Sequence, residues 1–225
     1  TAAIVLKLVW CGLKQVKVDN FKPSAVIFVV DSSASNQKEL PEQKMLLKQI
    51  CNLLDPEDQV KIIRVSQEAY LIYEGAPFNG TNINKVMNAF TKYDSKDYGT
   101  AYGEGLKKAF NYSVQMKKNG YIPAVVVIGD LENEGDTAKQ INWDTLPAEV
   151  KKVKDKTKNL TMLFLYAKPD KLDFVKEKLY SAANLYSDDV VVDVITIREN
   201  QNFHLRLFVK GGSLHLICKS YKYAS

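Results

Sequence analysis

At 225 residues, 46% hydrophobic and 25% charged, the chain has the balance of an ordinary globular protein. It is long enough to bury a sizeable core in one large domain, or in one domain with a small appendage. The formal net charge of +5 is too small to demand a polyanionic partner, and no stretch reaches the apolar length of a membrane span.

Taken in order, Ile4, Leu6, Leu8 and Trp10 alternate with Val5, Lys7 and Val9, which predicts an N-terminal strand. The same short apolar stretch also fits the remnant of a trimmed signal or anchor. After a polar connection, residues 25–30 read as a strand buried on both faces. A helix is expected over about 39–54, with Pro41 in its first turn, Leu47, Ile50, Cys51 and Leu54 inward, and Asp55-Pro56 as its stop. Strands follow at 60–65 and 69–73, the second an antiparallel edge because the turn before it is tight. A short helix is expected at about 82–90. A longer one spans 102–118, with Leu106, Ala109, Phe110 and Val114 inward.

A second buried strand is expected at 124–128, then a basic helix near 146–156 and a strand at 160–167. A helix opening at Asp170 carries Leu172, Val175 and Leu179 on one face, and a last strand falls within 190–197. The basic run at 151–158 reads as a solvated helix face. No aromatic residue interleaves it to stack on bases, so no nucleic-acid partner is expected. The three cysteines, Cys11, Cys51 and Cys218, form no C-x-x-C pair and lie among apolar residues, so they read as buried thiols, with one bridge such as Cys11 to Cys218 left open if the termini meet.

This alternation predicts an α/β fold: a doubly wound, mostly parallel six-stranded sheet with helices on both faces. The tail differs. Gly211-Gly212 is a two-residue hairpin signal. Pairing Lys210 with Ser213 sets Leu205, Leu207 and Val209 opposite Cys218, Leu216 and Leu214 on one face. The hairpin is expected to pair with the N-terminal strand in a small second sheet. The organisation is then a strand within 1–21, an α/β domain over 22–197 and a hairpin over 198–225.

The chemistry gathers where the buried strands end. Residues 25–30 run into Asp31, Ser33 and Ser35; Gly99-Thr100 precedes a helix; residues 124–129 run into Asp130. In a doubly wound sheet, ligands bind beyond the carboxyl ends of the strands, and a hard cation such as Mg²⁺ takes oxygen donors of this kind. Asp-x-Ser-x-Ser, then a distant Thr, then a distant Asp after Gly, resembles the von Willebrand factor type A domain with its metal-ion-dependent adhesion site. The resemblance covers roughly residues 22–195. It implies that Ser33 and Ser35 bind a cation through their hydroxyls and that Thr100 binds directly or through water. Asp31 and Asp130 would hold coordinated waters and the serine hydroxyls. It implies Mg²⁺ or Mn²⁺, with Ca²⁺ also admissible, and an open position taken by an Asp or Glu of a protein partner. The type A fold closes with a helix after its sixth strand, and here the hairpin stands in that place.

Each site residue also has a plain reading: Asp31 and Ser33 as caps of the first helix, Thr100 as a cap of the third, Asp130 as a turn residue. Glu132, Glu134 and Asp136 read as a solvated acidic rim; as a separate calcium loop they lack the terminal Glu of an EF-hand. A structural or scaffolding domain with a metal that only steadies the loops is the main alternative function. A metal-dependent hydrolase is a more distant one, since no phosphate-binding G-x-x-x-x-G-K-S/T and no G-x-S-x-G elbow occurs. No catalytic residue is assigned. The cysteines suit a reducing compartment and the apolar N-terminus an anchored one, so the compartment stays open.

Overall fold

Valine and isoleucine crowd β1 (Ser24–Asp31), and every residue of it is buried. β-Branched side chains suit a pleated strand covered on both faces. The computed structural model describes residues 22–77, 99–158, 160–165, 174, 177, 190–195, 202–210 and 213–221, with the last three segments described by backbone alone. β1 pairs in parallel with β2 (Gln59–Val65) on one side and β4 (Ile122–Ile128) on the other. β5 (Leu160–Leu165) lies beside β4, and β6 (Val190–Ile195) beside β5, both parallel. β3 (Ala69–Gly75) is antiparallel to β2, because the connection at 66–68 is too short for a crossover. The order β3-β2-β1-β4-β5-β6 makes β1 the strand at which the chain's direction of travel across the sheet reverses. In β3, Glu74 stands opposite Lys61 in register and pairs with its buried ammonium, which also lies 4.5 Å from the centre of the Tyr112 ring.

Helices cover both faces. On one, α1 (Leu40–Cys51) sets Leu46, Leu47, Ile50 and Cys51 against Val26, Phe28, Val30, Val60 and Ile62. On the other, α2 (Tyr102–Lys118) and α3 (Leu146–Thr157) share a core with Ile27, Val29, Val125, Val127 and Phe164. The sides alternate along each strand with period two, as they must between two apolar layers. Each such side chain contributes about 1.5–3 kcal/mol when fully buried.

Pro41 lies in the first turn of α1, where its missing N–H costs nothing. The helix ends three residues short of the expected Leu54. Asn52, Leu53 and Leu54 instead form a tightening turn, with Leu53 N–H on Ile50 O and Leu54 N–H on Cys51 O, because Asp55-Pro56 cannot continue it. Cys51 is a free, buried thiol.

Two further strands, β7 (Asn202–Lys210) and β8 (Ser213–Tyr221), pair antiparallel with Val209 opposite Leu214, Leu207 opposite Leu216 and Leu205 opposite Cys218. β8 runs beside β4, β5 and β6, while β7 neighbours α1. The hairpin therefore sits on the α1 face of the main sheet, over the β4–β6 half. The N-terminal strand expected at 4–10, its pairing with this hairpin, and the helix expected at 82–90 lie outside the described residues. So does most of the helix expected from Asp170, of which Phe174 and Glu177 are described and helical.

Candidate metal centre

The switch between β1 and β4 opens a crevice at the carboxyl edge of the sheet, where such folds bind ligands. Asp31 closes β1 and is fully buried. Its Oδ1 accepts the Ser33 N–H at 2.8 Å, and its Oδ2 accepts the Tyr102 hydroxyl at 2.9 Å. Asp130 follows β4, and its Oδ1 accepts the Glu132 N–H at 3.0 Å. Two adjacent strands thus end in the same device, a carboxylate bonded to the N–H two residues on.

Tyr102 joins the two ends. It starts α2, is wholly buried, and its hydroxyl oxygen accepts the Leu131 N–H at 3.3 Å while donating to Asp31. Gly129 makes room for it. A Cβ there would stand 2.0 Å from the Tyr102 hydroxyl oxygen and 2.7 Å from Asp31 Cβ, on a backbone with φ of +158°.

The hydroxyls come from two other loops. Ser33 is buried and Ser35 exposed, with their oxygens 3.1 Å apart. Thr100 Oγ1 donates to the Glu132 carbonyl at 2.6 Å and accepts the Glu134 N–H at 3.0 Å. Backbone bonds stitch the loops together: Ser32 N–H to Val65 O at 2.9 Å, Ala101 N–H to Ser66 O at 2.7 Å, Thr100 N–H to Glu134 O at 3.0 Å. Asp31, Ser33, Ser35, Thr100 and Asp130 therefore lie on three mutually bonded loops at one edge.

The capping readings do not describe this geometry. The N-cap of α1 is Glu39 and that of α2 is Ala101, and neither helix has a side-chain cap bond. Ser33 precedes only a short 3-10 turn (Ala34–Asn36) and does not cap it through its side chain. The turn reading of Asp130 does hold, through its bond to Glu132.

Electrostatically the crevice is acidic. Burial pushes the Asp31 carboxyl up to about 6 from 3.8, and the Asp130 charge adds to the rise. The Ser33 N–H, the Ser33 hydroxyl and the Tyr102 hydroxyl pull the other way without cancelling it, and no cationic side chain among the described residues enters the balance. Among the described residues no three His, Cys, Asp or Glu side chains gather as a metal-binding group, so the hydroxyls are needed to complete a donor set. A set of carboxylate and hydroxyl oxygens, without sulfur or imidazole, is the kind a hard divalent cation takes. A buried carboxylate with no counter-charge among the described residues fits that group.

Two participants escape a reading of the sequence. Tyr102 falls between glycines at a helix start, where an aromatic passes for core. Glu134 is one of several alternating acids assigned to a solvated rim, yet its Oε2 accepts the Ser35 hydroxyl at 3.3 Å. Only the three-dimensional closure of the loops singles it out.

Residues 26–133 match the family model described as von Willebrand factor type A domain. No curated protein matches the chain. Among solved structures, the chain is similar to the pilus adhesin SpaC from Lactobacillus rhamnosus GG, at 16% identity and a TM-score of 0.54, over 80% of this chain and 29% of that one. It is similar to the PilB minor pilin from Streptococcus sanguinis, at 13% identity and a TM-score of 0.52, over 82% of this chain and 59% of that one. The SpRpn10 VWA domain is matched at 13% identity and a TM-score of 0.51, over 79% of this chain and 90% of that domain. At such identities the likeness is one of fold. The family model covers just under half of the chain, and the α/β fold with its mostly parallel sheet agrees with a von Willebrand factor type A domain over residues 26–133.

Proposed function

We propose that this chain is a metal-dependent protein-interaction or adhesion module. Mg²⁺ or Mn²⁺, with Ca²⁺ as a further candidate, is held by Asp31, Ser33, Ser35, Thr100 and Asp130, and an Asp or Glu of a protein partner completes the coordination. When bound, the cation supplies an electrophilic point for that carboxylate. The observation that carries the reading is Asp31: a buried carboxylate, beside a second one, with hydroxyls next to it and no cationic side chain among the described residues in its balance. The remaining residues prepare the place. Tyr102 and the Ser33 N–H fix the Asp31 carboxylate, and Thr100 fastens the loop after β4. Pilus proteins stand among the structures of similar fold, which agrees with a role in contact between proteins. The module is read as a binder and not as a catalyst. No helix among the described residues is long and apolar enough to cross a membrane, and nothing in the reading requires one.

One observation favours the loop-steadying alternative. Thr100 spends its hydroxyl proton on Glu132 and accepts from Glu134, so it already serves the loop without a cation. Partner capture with Mg²⁺ present, and again after chelation, separates the two readings. The interaction reading expects capture to vanish with chelator and in Asp31→Ala, with the protein still folded. Capture that survives chelation assigns the metal to the loops alone.

A further inference from the structure

A hydroxyl that offers its lone pairs to a cation must send its proton elsewhere, and the acceptor decides how firmly the ligand is aimed. Ser35 has one proton, and its hydroxyl donates to Glu134 Oε2 at 3.3 Å. The Ser33 hydroxyl, 3.1 Å from that of Ser35, also bonds the Asp31 carboxylate. The Ser35 proton is thus sent out of the crevice, toward the rim. Glu134 is held where it can receive it: its N–H donates to Thr100 Oγ1 at 3.0 Å and its carbonyl accepts the Thr100 N–H at 3.0 Å. A residue fastened on both backbone groups to one proposed ligand, with its carboxylate on another, is placed as part of the centre.

We propose that Glu134 is a positioning residue of the metal centre, drawing the Ser35 proton outward so that the Ser35 oxygen presents its lone pairs to the cation. This rests on the metal reading above and adds to it a residue outside the Asp-x-Ser-x-Ser, Thr and Asp set. It also gives the rim a graded chemistry. Asp136, by contrast, bonds the Ala138 N–H in its own turn and is not assigned to the centre.

Mn²⁺ titrations followed by electron paramagnetic resonance test it, on the native chain, Ser35→Ala, Glu134→Ala, Glu134→Gln and the Ser35→Ala/Glu134→Ala double variant. Removing an outer partner of a metal ligand costs about 10–100-fold in affinity. Glu134→Ala is expected to weaken Mn²⁺ binding about tenfold. Glu134→Gln, which keeps an acceptor oxygen, is expected to lose less. In the Ser35→Ala background the Glu134→Ala change is expected to cost nothing further, since its route through Ser35 is gone. The same loss on both backgrounds makes Glu134 a mere rim charge and overturns the proposal, as does no loss on the native background. A native chain that binds no Mn²⁺ overturns the metal reading itself, and this proposal with it.

Discussion

Asp31 is the residue on which the site turns, and its proton is measurable. Its folded pKa of about 6 lies above the ordinary 3.8, so between those values the metal-free folded chain holds a proton that the unfolded chain has lost. The stabilising contribution is complete below about 3.8 and is lost as pH rises through about 6. At about 1.4 kcal/mol per pKa unit the whole effect is roughly 3 kcal/mol. Denaturant unfolding in chelator should therefore show the native chain losing stability relative to Asp31→Ala as pH rises from about 3.8 through about 6. A difference that stays constant across that range would mean that Asp31 titrates normally. With Mg²⁺ present the sign reverses, since cation and proton compete for one carboxylate, and apparent affinity should fall as pH drops below about 6. The five proposed ligands can be picked out by residue type and order, and the structure brings their loops to one edge. Tyr102 and Glu134 cannot be picked out so, because what distinguishes them is a hydroxyl bonded across loops to Asp31 and a carboxylate brought to Ser35 by chain closure.

At the scale of elements, the centre depends on how closely β4, α2 and the loops approach one another. Gly129 and Gly103 are where side chains would keep them apart. A Cβ at Gly103, in the first turn of α2, would stand 2.0 Å from the Gln140 carbonyl oxygen, backbone that cannot swing aside. A Cβ at Gly129 would strike the Tyr102 hydroxyl at 2.0 Å. Gly129→Ala is expected to destabilise the fold by about 1–3 kcal/mol, the usual cost of overpacking, and to weaken metal binding by displacing Tyr102 from Asp31. A calorimetric melt paired with a Mn²⁺ titration checks both, and an unchanged melt and affinity would show that Tyr102 has other room. Element types were readable from period and punctuation. The strand of residues 25–30 and the helix over 102–118 follow from apolar runs and spacing alone, and α2 spans those residues. The end of α1 was misread because Leu54 continues the apolar spacing while Asp55-Pro56 already tightens the turn.

Across the whole molecule, the reversal of chain direction at β1 sets two carboxylates side by side. α1 lies on one face near β1, and the C-terminal hairpin takes the same face over β4–β6. The hairpin's own pairing was legible from alternation and Gly211-Gly212. Its seat on the main sheet was not, because alternation fixes which residues share a face and never which surface that face meets. This edge is proposed to bind a divalent cation. Thermal unfolding with increasing Mg²⁺, on the native chain and on Asp31→Ala, tests it most directly. At a hundredfold over the dissociation constant, binding to the folded state alone adds about 2.7 kcal/mol, or about 5–10 °C for a chain of this size. A bound cation gives a saturable rise in the native melting point that is absent in Asp31→Ala. A native melting point indifferent to Mg²⁺ and Mn²⁺ at millimolar concentration would contradict it.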